Sequence, residues 1–191
     1  MKARDIVFCG LFAALMVVGA YIKIVIPIGV FTVTFSLQLF FAILAGFLLG
    51  SKKGLLSVGS YILLGLLGAP VFAHGGGIWY MAKPTFGFIL GFAAAAWVVG
   101  FVTETFDTVS AGRLLFAAFL GEMAFYACGL IYYYITFNYL LADSVGIGIV
   151  ELFSVWFLST VVPDFLLCLL ASRMALRLRG FFVGSLGAVQ K

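Results

Sequence analysis

Few residues in this chain could do chemistry, and their settings are unusual. Of 191 residues, 7 are Asp or Glu, 11 are Lys or Arg and 1 is His. Glu122 lies about halfway along the apolar run 114–134, and Asp164 directly follows Pro163. Carboxyl groups inside membrane-length apolar runs are costly and mark functional sites by default. Each also has a structural reading: a hydrogen-bonded or paired acid for Glu122, a favourable first-turn acid for Asp164. Lys83 stands just before Pro84 and Thr85, where a helix is expected to begin. A helix start presents free N–H groups and partial positive charge, so an added ammonium makes a seat for a carboxylate. The alternative for Lys83 is a lysine reaching to the membrane interface.

The segment His74, Gly75, Gly76, Gly77 lets backbone approach a ligand closely, and Trp79 and Tyr80 just after it offer flat walls. The same Trp-Tyr pair also suits an interfacial aromatic belt. No phosphate-binding loop, nucleophile elbow or H-E-x-x-H motif is present in the sequence. One histidine cannot build a multi-histidine metal site, and His74 with a loop serine is the only nucleophile–base candidate. Catalysis and a cofactor are therefore not expected. Cys9, Cys128 and Cys168 sit in apolar runs without metal spacing and read as small buried hydrophobes.

The elements that must position these residues follow from composition. The chain is 65% hydrophobic and 9% charged, whereas a soluble domain carries about 25% charged residues. Such a chain cannot cover a water-facing surface, so its solvent is lipid. At about 20 residues per span, it forms one all-α membrane domain of about six helices across residues 1–191. Disorder, a disulfide scaffold and nucleic-acid binding are excluded. The spans are expected near 6–26, 36–50, 55–67, 84–102 and 114–134, with a last one from Pro163 to about 178. For that last span, Pro in the first turn with Asp behind it favours a start at Pro163. The alternative is one long helix from about 149, kinked at Pro163. Lys2 and Arg4 ahead of an apolar run suggest a signal peptide, but run 6–26 is long, lacks a convincing cleavage site and is followed by further spans. It reads as a membrane helix that stays.

With six spans both termini share a side. That side collects Lys2, Arg4, Lys52, Lys53, Arg113, Arg173, Arg177, Arg179 and Lys191, against Lys23 and Lys83 on the other. Basic residues concentrate on the cytoplasmic side, so both termini are expected there. The loops 27–35, 68–83 and 135–160 then face outward. In the first span, Gly10-x-x-x-Ala14 forms a small-x-x-x-small stripe. It permits close approach of another helix, either a partner's or one of this chain's own.

Several segments together resemble the BioY family. Phe35-Ser-Leu-Gln38 with the stretch 44–51, the stretch 61–73, Gly75-Gly-Gly77 followed by the stretch 84–92, and Pro163-Asp164 are similar to ordered motifs of that family. The resemblance is good over residues 10–92 and looser beyond. It implies the six-helix fold of a substrate-binding S component of an energy-coupling-factor (ECF) transporter, multi-pass in a bacterial or archaeal cell membrane. It further implies binding of biotin from outside and docking, through Gly10 and Ala14, on a membrane T component bound to two ATPases. Carried-over ligand positions are Gly75, Gly76, Gly77, Thr85 and Asp164. The chemistry of biotin adds expected roles: Trp79, Tyr80 and Phe86 as walls, Asp164 as acceptor for ureido N–H groups, and Lys83 as partner of the carboxylate. The polar set departs from the family, with Lys83 where Gly is common, Ile89 and Leu90 where some members carry Arg, and no Asn in the glycine run. A related acid such as lipoate or dethiobiotin therefore stays open as ligand. A stand-alone proton-coupled transporter using Glu122 is the other reading, weakened by the lack of a visible internal repeat.

Overall fold

A computed structural model describes residues 2–28, 31–141 and 146–186. Helix α1 (Ala3–Tyr21) leads into a hairpin of strands β1 (Lys23–Ile28) and β2 (Phe31–Ser36). Helices α2 (Gln38–Leu49), α3 (Ser51–Leu66), α4 (Phe86–Glu104) and α5 (Ala111–Ile135) follow. The last rod begins as α6 (Ile149–Leu152), passes through a π-helical stretch (Phe153–Leu158) and continues as α7 (Ser159–Leu186). Among the described residues, four helical stretches are long and apolar enough to cross a membrane: Ala3–Tyr21, Phe86–Glu104, Ala111–Leu140 and Ile149–Arg179. The 12 residues of α2 reach only about 18 Å at 1.5 Å per residue, short of the ~30 Å hydrocarbon core. Nearly all of α2 is buried by the surrounding helices, so it is the central post of the bundle.

The first span is shorter than expected. It stops at Tyr21, and residues 23–28 pair antiparallel with 31–36 in the register Lys23↔Ser36 and Val25↔Thr34. The β-branched residues Ile24, Val25 and Ile26 pair with Phe35, Thr34 and Val33. Apolarity alone does not separate a strand from the end of a helix; β-branching suits a strand, and the pairing of the two runs across the turn decides for the hairpin. Val33 then packs with Tyr133, Ile147, Leu152 and Trp156, which fastens the hairpin across the top of α5 and the last rod.

The last rod also departs from expectation. It is helical from Ile149, with Pro163 inside α7. Proline removes one backbone donor and crowds the preceding turn. In apolar surroundings the helix accommodates this by local π adjustment, and the π stretch lies immediately upstream, over Phe153–Leu158. The acid behind Pro163 is therefore a mid-helix residue and not a first-turn acid.

Close helix contacts rest on glycines. A Cβ at Gly91 of α4 would lie 2.7 Å from the Phe125 carbonyl of α5, and one at Gly46 of α2 would lie 2.5 Å from the Ala96 carbonyl of α4. Only a missing side chain lets these backbones approach so far. At the end of the bundle opposite the hairpin, Lys53 Nζ pairs with Asp5 Oδ1 at 2.8 Å. There Glu104 accepts from Ser51 N–H (2.7 Å) and Ser51 Oγ (2.8 Å), so a carboxylate caps the start of α3.

Candidate functional site

Beneath the hairpin lies a cavity of about 200 Å³. A single water needs only on the order of 10–15 Å³ of such volume, so the space suits a small organic ligand. One wall is polar and comes from β2 and the start of α2. It carries Thr34, Ser36 and Gln38. The Ser36 hydroxyl donates to Gln38 Oε1 (3.2 Å), Gln38 Nε2 donates to the Tyr61 hydroxyl (2.6 Å), and Tyr61 donates to the Val71 carbonyl (3.2 Å). This chain of bonds sets the orientation of the Gln38 amide. The opposite wall is aromatic: Phe88 and Phe92 of α4, Phe125 of α5 and Trp156 of the π stretch. The Phe92 and Phe125 rings stack at 5.0 Å, and Phe88 packs on Trp156 at 5.3 Å.

Asp164 completes the site from α7, only 5% exposed. Its Oδ2 accepts from the Tyr126 hydroxyl at 2.5 Å, and Tyr126 shares a 2.7 Å bond with Thr160 Oγ1. Thr160 precedes Asp164 by one helical turn, which places both on one face of the last rod. No cation pairs with Asp164 among the described residues. A ligand with N–H donors is the natural complement to such an acceptor.

The third side is the loop between α3 and α4. Phe72 and Gly75 exchange backbone bonds (2.9 and 3.2 Å), and Gly77 N–H donates to the Gly65 carbonyl at 2.7 Å. Gly75 and Gly77 adopt φ of +110° and +104°, which L side chains rarely adopt. A Cβ on Gly76 would strike the Ala69 carbonyl. The three glycines therefore fold the loop back onto the end of α3, and it is Ala73 and His74 that reach the cavity. His74 Nε2 lies 3.1 Å from Thr34 Oγ1, and Lys23 Nζ donates to the Ala73 carbonyl, so loop and hairpin are joined at the mouth. Partial desolvation, with the Lys23 and Lys83 ammonium groups nearby, holds the His74 imidazole below its ordinary pKa.

Of the residues singled out in the sequence, Asp164, Tyr80 and Thr85 line the cavity, while Gly75, Gly76, Gly77, Trp79, Lys83 and Phe86 are not among its lining. Trp79 is 85% exposed, as an interfacial belt residue would be. Phe86 is 2% exposed and packs on Tyr132 at 5.8 Å. Lys83 Nζ sits 4.5 Å over the Tyr80 ring. Glu122 is fully buried one turn before Tyr126 and accepts from Cys168 Sγ at 3.5 Å, while its other oxygen has no partner among the described residues. On α1, Gly10 and Ala14 are both exposed, and nothing lies within 4 Å of a Cβ at Gly10. Neither residue is buried against another helix among the described residues.

Sequence reasoning passed over Thr34, Ser36, Gln38, Trp156 and Thr160. The spacing of Thr160 and Asp164 on one face of an apolar helix was a usable signal. Gln38, a lone amide opening a fully apolar helix, was another.

The sequence matches the profile of the BioY family over residues 1–183. The chain belongs to the BioY family. It is 38% identical over 178 residues to a probable biotin transporter BioY of Lysinibacillus sphaericus, covering 93% of this chain and 88% of that one. A biotin transporter BioY of Thermotoga maritima is 36% identical over 92% of this chain and 96% of its own length. A probable biotin transporter BioY of Pyrococcus horikoshii is also 36% identical, over 94% and 99%. Among solved structures, the S-component for biotin from an ECF-type ABC transporter superposes with a TM-score of 0.80 at 24% identity, covering 94% of this chain and 92% of that one. The fold of this BioY-family chain is thus the mostly helical S-component fold expected from the sequence, with the β1–β2 hairpin as a departure from an all-α chain.

Proposed function

We propose that this chain is the substrate-binding subunit of an ECF-type importer and takes biotin into the cavity beneath its hairpin. The observation that carries the reading is the cavity itself: an unpaired, hydrogen-bonded Asp164, aromatic walls and an amide-bearing polar wall, within a BioY-family fold. A ureido ring presents two N–H donors and one carbonyl. Asp164 accepts from the N–H groups, and the Gln38 amide faces the same space. Phe88, Phe92 and Phe125 enclose the apolar bicycle and chain. Tyr80 and Thr85 close the side toward α4.

The role is binding for transport and not catalysis, in keeping with relatives named as transporters. Energy comes from elsewhere, because the sequence has no phosphate-binding loop. A T component with two ATPases supplies it, docking on the exposed Gly10–Ala14 face of α1. Both termini and the basic turns lie in the cytoplasm, and the hairpin and the 68–83 loop face outward, as the positive-inside bias dictates.

Titration of the purified chain in lipid nanodiscs with biotin, dethiobiotin and lipoate tests the reading. Saturable binding is expected for the two ureido compounds and weaker binding for lipoate. Equal or tighter binding of lipoate would reassign the ligand. No binding of any of the three, with uptake driven by a proton gradient alone, would favour a secondary transporter built on Glu122.

A further inference from the structure

We propose that the cavity mouth seats a ligand carboxylate between the Lys23 ammonium and the His74 imidazole, making the site selective for acids over their neutral analogues. This inference rests on the reading that the cavity binds biotin or a close relative. It concerns the end of the ligand remote from Asp164.

The mouth is lined by β2 and the α3–α4 loop, and Lys23 of β1 stands just outside that lining, joined to it through the Ala73 carbonyl. Lys23 Nζ donates to the Ala73 carbonyl, which uses one of its three protons. Ala73 and His74 both line the cavity, so the ammonium is held beside the lining backbone. His74 is held against Thr34 Oγ1 at 3.1 Å, and Thr34 is itself a lining residue. The sole ion pair among the described residues is Lys53 with Asp5, at the other end of the bundle. Moreover, the chain carries no acid at all between Asp5 and Glu104. Neither the hairpin nor the loop can therefore neutralise Lys23 from within. An ammonium that has no counter-ion among the described residues, beside a largely apolar cavity, is complemented by an anionic ligand group. Lys83, whose Nζ lies over the Tyr80 ring, adds to the positive field from behind that ring.

The same arrangement predicts a pH signature. The groups facing His74 are Lys23 from β1, Thr34 from β2, Tyr80 from the turn before α4, and Lys83 beyond it. In the free protein, desolvation and the two lysines hold the imidazole below its ordinary value. A bound carboxylate reverses that field and raises the imidazole pKa in the complex. Binding of an acid then takes up a proton. Its affinity is greatest below the free-state pKa and declines as pH rises through the higher pKa of the complex.

The test measures dissociation constants of biotin and of its primary amide for the full chain in nanodiscs, between pH 5.5 and 8. Variants are Lys23→Ala, Lys23→Arg, His74→Gln and Lys83→Ala. Loss of a charge-assisted hydrogen bond is expected to lower the acid-to-amide affinity ratio about 10- to 100-fold in Lys23→Ala. Lys23→Arg should restore most of it, and His74→Gln should flatten the pH dependence of acid binding. Amide binding in each variant shows that the protein is folded. An unchanged ratio in Lys23→Ala, or the whole loss appearing in Lys83→Ala alone, overturns the seat. If the unaltered protein binds neither compound, the biotin reading itself fails. If it binds both with a ratio indifferent to Lys23, only the carboxylate seat fails.

Discussion

Asp164 stands in the cavity wall with one oxygen held by Tyr126 at 2.5 Å and with no cation beside it among the described residues. Replacing it by Asn keeps the shape but removes the charge from any hydrogen bond to a ligand N–H. A charged acceptor contributes about 1.5–3 kcal/mol, so Asp164→Asn should weaken biotin and dethiobiotin about 10- to 100-fold. Lipoate has no ureido N–H groups and should lose little. Calorimetric titration with all three compounds reads the difference, and an equal loss for lipoate would make Asp164 a scaffold residue.

Pro163 separates two versions of the last element. In the structure the helix runs through it, and Asp164 is positioned by Thr160 and Tyr126 around it. Pro163→Ala should then leave biotin affinity within about threefold and thermal stability unchanged or higher, because Ala restores a backbone donor and has the best helix propensity. Had the helix begun at Pro163, the same change would remove a favoured first-turn residue and loosen Asp164 with it. A fall in affinity comparable to that of Asp164→Asn would restore that second arrangement. The hairpin poses a similar question at its own level. Its hold on the bundle runs through Val33 and through Lys23 to the Ala73 carbonyl, so it closes the cavity by packing as well as by pairing.

The whole molecule offers a site at one end and an unpartnered small-residue face along α1. If that face docks on a T component, Gly10→Trp and Ala14→Trp should each abolish uptake by the assembled importer while biotin binding by the isolated chain persists. Radiolabelled uptake and a binding assay on the same variants separate the two effects. Survival of uptake in both would remove α1 as the docking face. Orientation is tested independently by placing single cysteines, Trp79→Cys at an 85% exposed position of the 68–83 loop and Lys52→Cys, in a background where Cys9, Cys128 and Cys168 are replaced. An impermeant thiol reagent added outside intact cells should label the first and spare the second. Reversed labelling would invert the proposed topology.

The amino-acid sequence by itself determined that this is a helical membrane protein. A chain so poor in charge must bury its backbone polar groups in lipid, and helices of membrane length do this unaided. The sequence also carried the family motifs, the unusual acid Asp164 behind Pro163, and the special backbone of the 75–77 glycines. Those features are written in residue type and local spacing. Tertiary structure alone decided that 23–28 is a strand, since an apolar β-branched run reads equally as the end of a helix. It carried the last helix through Pro163, because neighbouring packing and an upstream π stretch absorb a missing donor that would otherwise end it. It also decided which polar groups meet. Thr34 and Gln38, His74, and Asp164 lie in three separate stretches of chain, and no local pattern states that they share a cavity. Conversely, Lys83 and Trp79 sit beside lining residues in sequence yet are not among the cavity lining, Lys83 Nζ lying over the Tyr80 ring and Trp79 being 85% exposed. Side-chain direction there depends on how each helix and turn is rotated against its neighbours, and that rotation is set by the packing of the whole bundle.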